Sequence, residues 1–180
     1  MQWQVKIIME KLSVSRIILW LLVIMLGIEI GAGVYEALVV VPVWSSNIPD
    51  SVVAWYRHNT ADPALALNAG NRFWIFATPL TGLLSLATLL TSFKTSPEHR
   101  KWRVAGSAIV LMVVVSTFVW FVPSIMKFQG PGVLTMDRDQ LAGITTWWVR
   151  LNWVRAVVYF AGWLAALRAL NIRSVSSGNV

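Results

Sequence analysis

The chain has 180 residues, 57% hydrophobic and 13% charged, with a mean hydropathy of +0.64 and a net charge of +7. A soluble domain of this size carries about a quarter charged residues, so the composition excludes a soluble globular protein and leaves room for a single membrane domain, residues 1–180. There is no cysteine, which excludes disulfides, thiolate metal ligands and a cysteine nucleophile.

Residues 1–12 are polar and amphipathic. The apolar run that follows is too long for a signal h-region and is not followed by a small-residue cleavage site, so a retained helix is expected. A helix needs about 20 apolar residues to cross the hydrocarbon core. Four windows qualify, at about 15–41, 73–93, 104–127 and 142–170. They are joined by a long polar outer loop (42–72), a tight basic turn (94–103) and a Gly/Pro-containing acidic loop (128–141). The expected fold class is all-α, an integral membrane bundle of four transmembrane helices. No internal repeat is visible.

Orientation follows from the Lys/Arg bias. Lys6, Lys11, Arg16, Lys94, Arg100, Lys101, Arg103, Arg168 and Arg173 fall on one side of an even-numbered bundle. The opposite loops hold Asp50, Asp62, Asp137 and Asp139. Both termini are therefore expected to be cytoplasmic, in a multi-pass protein of the bacterial inner (cytoplasmic) membrane. This juxtamembrane clustering also accounts for the positive charge without nucleic acid. The expected partners are the lipid bilayer and a hydrophobic small molecule, and a homo-oligomer is compatible with the pattern.

Of eleven tryptophans, Trp3, Trp20, Trp44, Trp55, Trp74, Trp102, Trp147 and Trp148 lie near predicted span ends, as in the aromatic belts of membrane interfaces. Trp120, Trp153 and Trp163 lie deeper, where a pocket would be. Pro79 and Pro123 fall inside spans two and three, where proline frees carbonyls and kinks helices.

Two carboxylates, Glu29 and Glu36, stand inside the first span. Ionisable groups at that depth are costly and face a partner or a cavity rather than lipid. They are seven residues apart and point to nearly the same face. Gly27 and Gly31 form a small-xxx-small pattern that admits a close helix. In span four, Asn152 and Arg155 share a face and Arg150 is rotated away. Arg155 lies roughly 20 Å from either end of its span, level with Glu29, while Glu36 is nearer the outer face. Depth matching suggests Glu29 with Arg155, and Glu36 with Arg150 or Asn152. One reading is that these are buried ion pairs fixing helix register. The other is a site, because Tyr35, His58, Asn59, Asn68, Asn71 and Arg72 gather polar groups near Glu36, as binding or proton transfer requires.

His58 is the one histidine on the outer side, and imidazole is the side chain suited to proton transfer at neutral pH. His99 falls in the basic turn and reads as solvated surface. Imidazole and carboxylate from His58, Glu36 and Asp50 or Asp62 suit non-haem iron, copper or manganese, but the usual facial triad needs a second histidine. The two histidines lie on opposite sides, so they cannot together hold a haem. No phosphate loop or dinucleotide fingerprint occurs, and the sequence names no cofactor.

Several segments carry a resemblance. Gly31-Ala32-Gly33-Val34-Tyr35-Glu36 followed by Val41-Pro42-Val43-Trp44, then Asn71-Arg72-Phe73-Trp74, Thr117-Phe118-Val119-Trp120-Phe121-Val122-Pro123 and Trp148-Val149-Arg150-Leu151-Asn152-Trp153-Val154-Arg155 together resemble the anthrone-oxygenase-like family of small four-helix membrane proteins. The resemblance spans nearly the whole chain. It implies oxygenation of an anthrone-type polycyclic phenol to a quinone without an evident organic cofactor, with Glu36, Arg72, Asn152 and Arg155 as polar pocket residues.

The expected function is thus a membrane-embedded oxidoreductase or oxygenase acting on a hydrophobic aromatic, anthrone- or quinol-like molecule. Glu36 or His58 serves as base, Arg155 and Arg72 stabilise the oxyanion, and Asn152 orients the substrate. Glu29, Tyr35, Asn71, Trp120, Arg150 and Trp153 complete the expected lining. The alternative is a non-enzymatic binding, transport or accessory protein whose charges fix the bundle. Four spans without a repeat are few for a secondary transporter.

Overall fold

The computed structural model describes residues 14–61, 69–93 and 95–172, and within them every regular element is helical. In chain order these are α1 (Val14–Ser45), α2 (Asp50–Ala61), α3 (Ala69–Ser92), α4 (Pro97–Phe128) and α5 (Arg138–Asn171), with a 3₁₀ turn at Pro131–Leu134 before α5. α1, α3 from Arg72, α4 and α5 are long and apolar enough to cross a membrane. The amphipathic segment 1–12, with Trp3, Lys6 and Lys11, lies outside the described residues, as do Asp62, Asn68, Lys94 and Arg173.

The four expected windows lie within these helices, but hydropathy misplaces their ends. α5 begins at Arg138 because the Asp137 carboxylate accepts the N–H groups of Asp139 and Gln140 at 3.0 and 3.3 Å, a side-chain cap on a polar first turn. α4 begins at Pro97, after Ser96, where a missing N–H costs nothing. The expected loop 42–72 instead holds α2. Its Val52 is fully buried against the loop end of the bundle, and Asp50 forms a paired contact with Arg138 at 2.8 and 2.9 Å.

α1 and α4 each pack on both α3 and α5, giving a ring in the order α1, α3, α4, α5 with neighbours antiparallel. Two apolar cores fill it. Toward the end where the 93–96 turn lies, Leu19, Leu22, Leu26, Val110, Ala166 and Ala169 close together. At the opposite, loop end, Trp44, Phe121, Phe128 and Trp148 stack edge to edge over Val52 and Leu141. Trp44 and Trp148 are therefore core residues and not interfacial ones. The Trp148 indole donates to the Phe121 carbonyl at 3.1 Å.

The expected Gly27/Gly31 crossing does not form. Gly27 faces the Trp163 ring, and a Cβ on Gly31 would meet nothing within 4 Å. The close approach is between α4 and α5, where a Cβ on Gly106 would lie 3.0 Å from the Ala166 amide nitrogen and 3.1 Å from the Gly162 carbonyl oxygen.

Two of the long helices widen at one turn each. Residues Glu36–Val40 of α1 and Thr117–Phe121 of α4 are π-helical, with the Val41 and Val122 N–H groups reaching back to the carbonyls of Glu36 and Thr117. Pro42 and Pro123 follow directly. Each lacks an N–H and crowds the carbonyl four residues before it, and a widened turn relieves both problems. The spacing recurs 81 residues later (36 to 117, 42 to 123). Buried positions recur in the same register: Leu22, Leu26 and Glu29 match Arg103, Ser107 and Val110, and Thr81, Ser85 and Thr88 match Gly162, Ala166 and Ala169. The α1–α3 and α4–α5 hairpins thus share the placement of their widened turns and of these six buried positions. The sequence hides this because nearly every matched pair differs in residue type.

Candidate functional site

Between the two apolar cores lies a polar layer. Glu29 is 3% exposed. The Thr81 hydroxyl of α3 donates to its Oε1 at 2.6 Å, and the Tyr159 phenol of α5 donates to its Oε2. Two turns toward the loop end, Glu36 is half-buried at the start of the widened turn of α1, where the Trp74 indole donates to its Oε2 at 2.7 Å. Its Oε1 accepts no hydrogen bond from the described residues.

Arg155 enters the layer from α5. Its Nη2 donates to Asn152 Oδ1 at 2.6 Å and its Nη1 to Thr117 Oγ1 at 3.3 Å. The guanidinium carbon lies 4.3 Å from the centroid of the Phe121 ring, a cation–π contact. Thr117 and Phe121 are the two ends of the widened turn of α4. Each π turn therefore presents a polar side chain to the opposite helix of its own hairpin. Trp74 reaches Glu36 and Arg155 reaches Thr117, both across 38 residues.

The charge of Arg155 is felt at Glu29, Glu36 and Tyr159. Among the described residues, however, neither carboxylate closes into a direct ion pair with it. The expected match of Glu29 with Arg155 is not observed: the residue of α5 that touches Glu29 is Tyr159, one turn beyond Arg155, and with Thr81 it makes both partners of Glu29 neutral. Nor is the expected pairing of Glu36 with Arg150 or Asn152: Asn152 is 9% exposed and engaged with Arg155, while Arg150 is exposed.

The layer thus gathers Glu29, Glu36, Asn152 and Arg155 from the sequence-based set. The other expected residues lie elsewhere. His58 is exposed on α2, so it does not join Glu36. Tyr35 is 60% and Trp153 47% exposed, because both project from the outer faces of their helices; Arg150, one turn before Trp153, shares its outward face, and Arg72 is exposed at the loop end of α3. Trp120 is half-buried, packed on the loop-end core and edge-on to Phe121 at 4.8 Å. The side chain of Asn71 lies outside the described residues. Among the described residues, no three His, Asp or Glu side chains gather closely enough to hold a metal. Asp50, one of the expected ligands, is occupied by Arg138.

Sequence reasoning missed Thr81, Thr117, Phe121 and Tyr159, and assigned Trp74 to the interface. A signal existed for two of them. Tyr159 lies four residues after Arg155 on the same face, and Thr81 belongs to a run of small hydroxyl residues at helical spacing: Thr78, Thr81, Ser85, Thr88 and Ser92, all buried.

The chain matches no protein-family model, no curated protein and no solved structure.

Proposed function

We propose that the polar layer binds a hydrophobic aromatic molecule bearing a phenol- or quinone-type oxygen, and that the protein is a membrane oxidoreductase acting on it. The observation that carries this reading is Arg155. A guanidinium taken out of water is held by Asn152, Thr117 and the Phe121 face, beside two carboxylates that it does not pair with. A buried cation whose ligands are neutral is suited to an anion that forms during a reaction, since positioned charge in a dry site needs no reorganisation. Glu36, whose Oε1 accepts no hydrogen bond from the described residues and whose Oε2 is fixed by Trp74, serves as the base. Tyr35 and Phe76, exposed beside this seam, offer an apolar approach from the bilayer. Lys/Arg bias puts the basic end of the bundle, and both termini, on the cytoplasmic side.

The resemblance to anthrone-oxygenase-like proteins points to the same chemistry. Glu36 removes a benzylic proton, Arg155 stabilises the resulting enolate oxygen, and the electron-rich carbon reacts with dioxygen. One oxygen atom remains as the new carbonyl, and the other leaves as water with the two hydrogens of the methylene. The test is oxygen uptake by the purified protein with a panel of anthrones and quinols. Glu36→Gln and Arg155→Gln are each expected to lower the rate by about 10²-fold or more while circular dichroism remains unchanged. Full turnover in either folded variant would overturn the assignment.

A second reading is a non-enzymatic binding or transport protein; the recurrence of the widened turns 81 residues apart favours it, since internal repeats are common in transporters. Absence of uptake across the panel by folded wild-type protein would favour it.

A further inference from the structure

Buried polar atoms almost always find a partner, and those that do not point to unplaced water or an ion. In this bundle such atoms are unevenly distributed. Ser85 Oγ, Thr88 Oγ1, Ser107 Oγ, Arg103 Nε, Ser15 Oγ and His99 Nε2 are all buried without a hydrogen-bond partner, and all lie between Glu29 and the basic end of the bundle. In the loop-end half, among the described residues, only Thr145 Oγ1 is in this state. Ser85, Thr88 and Ser107 are fully buried, and Arg103 is 4% exposed.

The pattern is not a general habit of the hydroxyls here. Thr91, Ser92 and Ser116 bond back to carbonyls of their own helices in the usual way. Ser85, Thr88 and Ser107 do not. The helix register also places the orphaned atoms in sequence. α3 and α4 run antiparallel, with Gly82 against Val114 and Thr91 against Arg103. Ser107, one turn beyond Arg103, is then level with Thr88. From Thr81, which holds Glu29, the steps to Ser85 and Thr88 are rises of about 4.5–6 Å. One water bonded to two hydroxyls spans about 5.5 Å. The file ends at Arg103, whose Nη2 donates to the Ser15 carbonyl and to Thr91 at 2.8 and 3.3 Å, with His99 one turn further along the same face. His99 is thus half-buried and part of this arrangement, not simply solvated surface.

We propose that these atoms mark a file of buried waters that connects the Glu29 carboxyl group to the basic end of the bundle, through Thr81, Ser85, Thr88 and Ser107, and gives that group a route for proton exchange with that side. The groups facing Glu29 are consistent with a one-sided connection. α3 presents Thr81, α5 presents Tyr159 and the charge of Arg155, α4 presents the apolar Val110 and Val114, and Glu36 lies two turns toward the loop end. The inference does not depend on the oxidoreductase reading, because it concerns water and not substrate.

The test is water-edited solid-state NMR on the full chain in lipid bilayers, with labelled serine, threonine and valine. Polarisation transfer from water to Ser85, Thr88 and Ser107 is expected to exceed that to the equally buried Val110 by about fivefold or more, as ordered water at hydrogen-bond distance requires. Transfer no greater than at Val110 would overturn the proposal without any variant. Direction is tested by Thr88→Val with Ser107→Ala, which removes the hydroxyls at the entrance. Loss of transfer at Ser85 and Thr81 is expected. Retention there would mean that water arrives from the loop end, and would overturn the route.

Discussion

Tyr159 donates its phenolic hydrogen to Glu29 across the α1–α5 interface, joining residues 130 positions apart in the sequence. This contact and the Thr81 hydroxyl are what make a carboxyl group tolerable at 3% exposure, since an unsatisfied polar group there loses its full hydration. Tyr159→Phe removes the donor and leaves the ring. It is expected to lower stability by about 1–3 kcal/mol, measured by denaturation in detergent. Glu29→Gln, which keeps a hydrogen-bonding head of the same shape and removes the charge, is expected to cost less. A Tyr159→Phe protein as stable as wild type would show that Thr81 alone suffices.

The second prediction concerns where the bundle tolerates bulk. A Cβ on Gly106 would press on the α5 backbone at 3.0 Å, whereas one on Gly31 would meet nothing. Gly106→Ala is expected to cost about 1–3 kcal/mol through overpacking. Gly31→Ala is expected to be neutral or slightly stabilising, because alanine is the better helix former. The reverse ranking in thermal unfolding would return the close crossing to α1, where the sequence pattern put it.

Asp50 supplies a pH dependence. The Arg138 guanidinium beside it holds its carboxyl below the ordinary value of 3.8. A carboxylate with a depressed folded-state pKa contributes stability that is present above its unfolded-state value and lost as pH falls through the folded one. Docking of α2 on α5 should therefore loosen as pH drops below the ordinary aspartate value, seen as faster hydrogen exchange in α2. Asp50→Asn should exchange faster already at neutral pH, without that acid dependence. Because both groups are solvent-exposed, the difference should shrink in high salt.

The four long helices were legible because they rest on the length of apolar runs, and four such runs survive any error at their ends. Glu29, Glu36, Asn152 and Arg155 were legible because charge inside an apolar span is conspicuous. What could not be read was which arc of each helix faces inward. Spacing rotates Arg150 away from Arg155 but does not say which of the two leaves the bundle; Arg150 faces outward and Arg155 lies over Phe121. His58 looked like part of the site because loop residues have no register until the fold supplies one, and α2 turns it to the surface. Hydroxyl residues were the larger omission. Thr81, Ser85, Thr88 and Thr117 barely register in a hydropathy profile, although Thr81 holds Glu29 and Thr117 holds Arg155. The recurrence of the widened turns, before Pro42 and Pro123, escaped notice because the matched positions share hardly any side chains.

The two hairpins carry unequal buried charge. The first hairpin holds Glu29 and Glu36, and the second holds Arg155. Each half made alone would carry unbalanced charge into an apolar surrounding, and two copies of the same half would repel. The halves are in this sense complementary fragments, with opposite charge on the two sides of the polar layer and apolar cores on either side of it. If the chain is divided between Thr95 and Ser96 and both pieces are co-expressed, they should co-purify, while either piece with itself should not. Arg155→Gln in the second piece should weaken their association. A protein synthesised in order would then hold its first hairpin uncommitted until the second arrives, which makes the buried cation a checkpoint of assembly as well as a feature of the finished bundle.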